Sequence, residues 1–153
     1  MRGGSRALIA AVVIGVAVAG SVPAASAKAE KPSGVTVKVR EFAVVPTVDH
    51  TSGRSVRFSV RNEGTEAHEL VVARIGGSRP LTTDAVGAAD EEAIAEADAM
   101  GEAEDIAPKR TKRFTVTGLT PGAYQLFCNI VEEEDGATVS HYAEGMHTVF
   151  VVL

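Results

Sequence analysis

Apolar and polar residues alternate with a period of two through much of the chain after residue 34, which predicts a protein built from β-strands. The clearest alternations are residues 35–39, 56–60 and 111–116, where valine or phenylalanine recurs at every second position. Side chains of a strand point alternately to its two faces, so these segments should each bury one face. Residues 70–75 are apolar at most positions, which predicts a strand covered on both faces.

Glycine and proline mark the ends of further short strands. Thr120-Pro-Gly122 is typical of a turn. The strand predicted after it, residues 124–128, places Cys128 on the same face as Tyr124. Residues 145–153 are rich in β-branched side chains and predict the last strand. Short strands punctuated by such turns indicate an all-β sandwich of two antiparallel sheets.

One segment, residues 84–105, departs from the alternation. It is rich in alanine and acidic residues, with only Val86, Ile94 and Met100 as sizeable apolar side chains. This composition is typical of a solvated helix or a mobile excursion. We therefore predict an insertion between two strands, serving either as an interaction surface or as a solvated loop without function.

The N-terminal residues predict export. Arg2 and Arg6 precede an apolar run over residues 7–18, and Ala25-Ser26-Ala27 supplies the small residues of a cleavage site. This pattern indicates a secretory signal peptide over residues 1–27, because the apolar run is too short for a membrane-spanning helix. An uncleaved N-terminal anchor is the alternative. We predict a flexible tail over residues 28–34, a single domain over residues 35–153, and an extracytoplasmic location, secreted, periplasmic or at the cell envelope.

Charge and cysteine content narrow the function. The net charge is −5, and it becomes −7 once the signal and its two arginines are removed. An acidic domain is a poor nucleic-acid binder, because phosphate recognition relies on clustered Lys and Arg. The single cysteine excludes an internal disulfide. A lone thiol in an oxidising compartment is expected to be buried, paired with another chain, or bound to a metal.

Four residues form a candidate metal site: His68, Cys128, His141 and Met146. One thiolate, two imidazoles and a weak thioether are the donors of a mononuclear copper electron-transfer centre. Taken singly, His68, Cys128 and Met146 have structural alternatives: a hydrogen-bonded histidine at a strand start, a buried thiol and a core-filling methionine, respectively.

The chain has two further histidines. His50 lies in a turn-like stretch, and His147 lies beside Met146 in the last strand, where it should face the other way. Both are expected to be surface histidines.

Twelve residues separate Cys128 from His141, a long gap for two ligands of one metal. Asp135-Gly136 within this gap is a strong hairpin signal. A turn at these two residues places His141 opposite Ile130. Cys128 and His141 then become diagonal neighbours on one side of the hairpin, about 7–8 Å apart. A shift of the turn by one residue would point His141 away.

Three segments resemble the cupredoxin family, the plastocyanin- and azurin-like blue copper domains. They are residues 62–69 around His68, residues 121–128 ending in Cys128, and residues 141–146. The resemblance covers residues 35–153 apart from the insertion. It implies a Greek-key antiparallel β-sandwich, a copper cofactor, and His68, Cys128, His141 and Met146 as its ligands. Family members usually have only a few residues between the cysteine and the second histidine, and this chain departs from that pattern.

The leading functional hypothesis is an exported monomeric copper protein that shuttles electrons to a redox partner protein, with loose association to the cell envelope. A second is copper handling, by chaperone-like delivery to a copper-handling protein or by sequestration. A third is a metal-free cupredoxin-like interaction module. We do not expect an enzyme, because four histidines without a His-x-His pair do not readily build additional copper centres, and Cys128 has no recognisable general base.

Overall fold

The protein forms a two-sheet sandwich, described here by a computed structural model that covers residues 31–77 and 79–153. The predicted signal peptide, residues 1–27, lies outside the described residues. No helix within those two ranges combines the length and apolar character needed to cross a membrane. The described strands are β1 (Ser33–Arg40), β2 (Ala43–Pro46), β3 (His50–Thr51), β4 (Ser55–Asn62), β5 (His68–Ile75), β6 (Ala99–Ile106), β7 (Thr111–Thr117), β8 (Gly122–Phe127), β9 (Val131–Glu134), β10 (Ala137–Ser140) and β11 (His147–Val152).

The two main sheets are mixed. One has the strand order β2-β1-β4-β7 and the other β3-β11-β8-β5-β6, while β9 and β10 form a separate hairpin. The pairs β1–β4 and β3–β11 are parallel, and the remaining pairs are antiparallel. The predicted β-sandwich is confirmed, but the expectation of purely antiparallel sheets was wrong. Strand β2 occupies one edge of β1 in the antiparallel direction. Strand β4 pairs with the other edge of β1 and runs parallel to it.

The core lies between the inner faces of the two sheets, as the alternation predicts. Phe58 of β4 is fully buried and stacks on Phe114, with ring centroids 5.4 Å apart. Across the sandwich it meets Phe150 of β11 edge-on at 5.8 Å. Strand β5 is buried at six of eight positions, which confirms the expectation of a strand covered on both faces.

The insertion is not helical, so that part of the prediction was wrong. Residues 84–105 are all described, and they contain one 3₁₀ turn, Glu91–Ala93, and most of β6. Strand β6 pairs with the edge of β5, whose backbone groups would otherwise lack partners. Of the insertion's sizeable apolar residues, Ile94 and Met100 pack against the buried clusters and Val86 is exposed. Ala89 and Ile94 pack with Phe127 and Tyr142 in a second cluster on the outer face of the five-stranded sheet.

The β9–β10 hairpin has the predicted register. Asp135 and Gly136 form its turn with φ values of 49° and 79°, the positive pair that tight hairpin turns require. Glu134 pairs with Ala137, as expected. The backbone N–H of His141 donates to the carbonyl of Ile130 at 2.9 Å, which places these two residues opposite each other.

This turn provides the first test. Gly136→Val should destabilise the protein by about 1–3 kcal/mol, because a β-branched side chain strains a left-handed backbone. No atom lies within 4 Å of a Cβ added at this position, so crowding is not the cause. Urea unfolding measures the loss. Gly34→Val is the matched control, since Gly34 also has open space but no positive φ. Equal losses in the two variants would contradict the assigned turn.

Candidate metal centre

Three side chains converge at one end of the sandwich. His68 begins β5, Cys128 directly follows β8, and His141 directly follows β10. The Nδ1 atoms of His68 and His141 lie 3.3 Å apart. The Sγ atom of Cys128 lies 3.4 Å from Nδ1 of His141 and 4.0 Å from Nδ1 of His68. All three residues are fully buried. The hairpin therefore brings His141 to Cys128 across the twelve-residue gap.

The size of this triangle fits a metal ion. In protein sites a first-row ion lies about 2.0–2.1 Å from imidazole nitrogen and about 2.3 Å from thiolate sulfur, so three such donors spread evenly around it lie roughly 3.5–3.8 Å apart. The observed separations of 3.3, 3.4 and 4.0 Å bracket that range. Two imidazoles and one thiolate form the donor set that copper centres use.

The thiol of Cys128 is held in a water-free setting. Burial raises the pKa of Cys128 to about 11, so the isolated side chain stays protonated at neutral pH. Its sulfur accepts a weak hydrogen bond from the backbone N–H of Glu69 at 3.5 Å. A bound cation would reverse this preference, because a coordinating thiol loses its proton.

Met146 lies beside the other three residues through its backbone. Its carbonyl accepts from the N–H of Cys128, and its own N–H donates to the carbonyl of His141, both at 2.9 Å. The Met146 side chain is fully buried in the same apolar cluster as Cys128. Thus the structure brings all four predicted residues to one end of the core, three of them through converging donor atoms.

The outer nitrogen of His68 faces a carboxylate. Oε1 of Glu41 lies 3.3 Å from Nε2 of His68, which makes no hydrogen bond with any described residue. The same oxygen accepts from the backbone N–H groups of Thr65 at 2.6 Å and Glu66 at 2.8 Å. Burial alone would raise the pKa of Glu41, but these backbone donors outweigh it and lower the pKa to about 2. Glu41 is therefore ionised at neutral pH and clamps the loop before His68.

The outer nitrogen of His141 is hydrogen-bonded to a second carboxylate. Oε1 of Glu132, on β9, lies 2.7 Å from Nε2 of His141, and Oε2 of Glu66 lies 3.8 Å away. These two carboxylates and His141 form a second group of closely spaced donors. The ring of Phe42 packs edge-on against His141, with centroids 5.4 Å apart. Both inward-facing imidazoles are thus covered on their outer sides.

Comparison with known proteins identifies the family. The profile of the cupredoxin-like domain matches residues 8–139, most of the chain. The chain belongs to the cupredoxin-like family. The match ends before His141 and Met146, so these two residues are candidate ligands on the geometry alone. Among curated proteins, none matches the chain.

Solved structures share the cupredoxin fold at low sequence identity. Dithionite-reduced auracyanin from Roseiflexus castenholzii is 16% identical with a TM-score of 0.53, over 81% of this chain and 99% of that one. Auracyanin A, a "blue" copper protein from Chloroflexus aurantiacus, is 16% identical with a TM-score of 0.52, over 80% and 100%. Reduced rusticyanin is 18% identical with a TM-score of 0.51, over 82% of each chain. Such identities establish the shared fold only.

Asn62 holds the loop that leads to His68, one of the three residues of the donor triangle. Its fully buried amide donates to the carbonyls of Glu66 at 2.6 Å and Ile106 at 2.7 Å, and its oxygen accepts from the N–H of Gly64 at 2.8 Å. These bonds connect the end of β4 and the loop before His68 to the end of β6. This supporting role of Asn62 was not predicted, although its place at a strand end before Glu-Gly is a turn signal.

The two remaining histidines lie away from the donor triangle. His50 is exposed and its Nδ1 lies 2.8 Å from Oδ1 of Asp49. The ring of His147 stacks on Tyr142 with centroids 4.6 Å apart, on the outer face of the sheet. His50 is the surface histidine that was expected, whereas His147 faces away from Met146 as expected but is half-buried.

Three carboxylates near the site, those of Glu41, Glu66 and Glu132, were not anticipated. Glu132 had a detectable signal, because the predicted hairpin places it diagonally next to His141, on the side away from Cys128. Glu41 had no such signal in the sequence, because it lies in the connection between β1 and β2, far from His68 along the chain.

Proposed function

We propose that this protein is an exported mononuclear copper carrier of single electrons, with His68, Cys128, His141 and Met146 as ligands. The observation that carries the proposal is the buried triangle of two Nδ1 atoms and one Sγ atom. Copper bound by these donors would supply one-electron chemistry, with the Met146 thioether as a weak donor. The N-terminal pattern of arginines, apolar run and small residues supports export.

The strand framework suits electron transfer. His68 begins β5, and the backbone on either side of Cys128 is tied to Met146 and Glu69. Side chains held this firmly move little when the charge at the site changes, and this keeps the reorganisation cost of electron transfer low. Complete burial also excludes water from the donor atoms. We expect the electron to pass to and from a redox partner protein.

The donors and acceptors in the triangle favour a bound cation over a metal-free role. Glu132 accepts from Nε2 of His141, so Nδ1 of that ring carries a lone pair. If His68 is protonated on Nε2, two Nδ1 acceptors face each other with only the thiol proton between them. If it is protonated on Nδ1, its Nε2 lone pair faces the Glu41 carboxylate. With both rings neutral, either arrangement leaves a buried acceptor without a donor, which an added cation would relieve.

Copper handling is the second candidate, favoured by the acidic groups beside His141. Glu66 and Glu132 lie 3.8 and 2.7 Å from its outer nitrogen and would attract a cation. The readouts differ: a carrier gives an intense thiolate-to-copper absorption band and reversible one-electron cycling, whereas a delivery or sequestration protein binds Cu(I) tightly without that band.

Copper titration of the exported protein tests the proposal. Cu(II) should bind one ion per chain and produce the intense visible band, and His141→Ala should remove that band and weaken binding. His50→Ala and His147→Ala are matched controls, because both rings lie outside the triangle. A colourless wild type, or an unchanged spectrum in His141→Ala, would contradict the proposed site.

A further inference from the structure

We infer that Glu132, carried by the inserted β9–β10 hairpin, is a positioning residue that fixes the tautomer of His141 and favours Cu(II) over Cu(I) at the site. The inference rests on the proposed function and extends it. It gives the long Cys128–His141 gap a chemical role, because the hairpin that fills the gap also brings the carboxylate.

The contact itself is direct and sheltered. Oε1 of Glu132 and Nε2 of His141 are 2.7 Å apart, a length typical of a charge-assisted hydrogen bond. The His141 side chain is 0% exposed, and that of Glu132 is 34% exposed. An ionised carboxylate can only accept, so Nε2 must donate its proton. The unprotonated nitrogen is then Nδ1, the atom that faces Cys128.

The hairpin register explains why Glu132 can reach the ring. Glu132 pairs with Val139, and Ile130 lies opposite His141. Glu132 is therefore the diagonal neighbour of His141 on the side away from Cys128, and one imidazole is held between a thiol and a carboxylate. Glu133, the next residue, alternates to the other face and accepts from the hydroxyl of Thr138 at 2.8 Å.

The charge of Glu132 gives the effect on copper its direction. A carboxylate bonded to the outer nitrogen makes the imidazole a more basic ligand. It also places a negative charge near the metal in a setting poorer in water than bulk solvent, which stabilises the more positive ion. Both effects favour Cu(II) and lower the reduction potential.

Glu41 makes a useful contrast at the other histidine. It lies 3.3 Å from Nε2 of His68 without a hydrogen bond, and its carboxylate oxygen already accepts two backbone N–H groups. Its charge is partly compensated by those donors. The orienting bond and the larger effect on the copper ion are therefore assigned to Glu132.

Three variants of the full exported protein test the inference. Glu132→Gln removes the charge and keeps an acceptor, Glu132→Ala removes both, and Glu133→Gln removes the same charge from the same hairpin without touching His141. ¹⁵N NMR of the metal-free protein reports the His141 tautomer. Separate Cu(I) and Cu(II) titrations give the affinity ratio, which sets the potential.

The expected pattern separates charge from orientation. Wild type and Glu132→Gln should show His141 protonated on Nε2, and Glu132→Ala should show a mixture of tautomers. Cu(II) affinity should fall about 10–100-fold in both Glu132 variants. With Cu(I) affinity little changed, a tenfold shift raises the potential by about 59 mV for one electron. Glu133→Gln should match wild type in both measurements.

Two results would overturn the inference: a metal-free wild type with His141 protonated on Nδ1, or equal affinity ratios in Glu132→Gln and Glu133→Gln. Failure of the proposed function is a different result. It would be seen as absence of the thiolate-to-copper band in the wild type, whereas the tautomer measurement needs no copper.

Discussion

Cys128→Ser should abolish the intense visible absorption of the copper-loaded protein and weaken Cu(II) binding by more than about 100-fold, beyond the usual loss when a residue that only supports a ligand is changed. The band requires a thiolate-to-metal bond, and Cys128 is the only cysteine in the chain. The serine hydroxyl is a far harder and less readily ionised donor than the thiol, and it retains none of the charge-transfer chemistry. Absorption spectroscopy and isothermal titration measure the two effects.

The same variant distinguishes loss of a ligand from loss of the fold. Serine is close in shape to cysteine, and the N–H bond that the sulfur accepts from Glu69 is weak, at 3.5 Å. The metal-free Cys128→Ser protein should therefore unfold within about 2 kcal/mol of the metal-free wild type. Copper should stabilise the wild type against heat and leave the variant unchanged, because only the folded site binds the ion. A variant that keeps the visible band would rule out Cys128 as the ligand.

The parts of the fold that the sequence predicts are those set by local chemistry. Period-two alternation locates β1, β4 and β7, and Asp135-Gly136 determines the hairpin register because few residues tolerate two consecutive positive φ values. The parallel pairing of β1 with β4 and the pairing of β6 with β5 depend on which strand edges remain free. No local pattern encodes that, so composition alone suggested a helix where β6 forms.

In the site too, contacts set by local sequence were predictable, and contacts between distant parts of the chain were not. Cys128 and His141 were predicted to meet because a single hairpin links them, and that register also implies the position of Glu132. Glu41 reaches His68 through contacts between separate parts of the chain. Asn62 likewise works through residues distant in sequence, since its partner Ile106 lies 44 positions away. Such supports are visible only once the sandwich has been assembled.

Asn62→Ala should have the largest effect on stability of any single change near the site. The fully buried amide makes three hydrogen bonds, to Gly64, Glu66 and Ile106. Truncation leaves three buried backbone groups without this partner, at about 1 kcal/mol or more each. The expected loss of about 3–5 kcal/mol is a large share of the 5–15 kcal/mol that stabilises a typical domain. Urea unfolding of the metal-free protein measures it.

The loss should also reach the metal centre, because Asn62 holds the loop that ends at His68. Without the Asn62 amide, the carbonyls of Glu66 and Ile106 lose a donor. Glu66 precedes His68 in the loop and Ile106 pairs with His68 across β5 and β6, so the backbone around His68 becomes less restrained. Cu(II) affinity should then fall even under conditions where the variant remains folded, and amide exchange should quicken in residues 63–68 before the rest of the sandwich. Arg61→Ala is the matched control on the same strand, since it loses only an exposed ion pair with Glu63 worth under about 1 kcal/mol. Comparable destabilisation in the two variants would show that the buried amide does not have this supporting role.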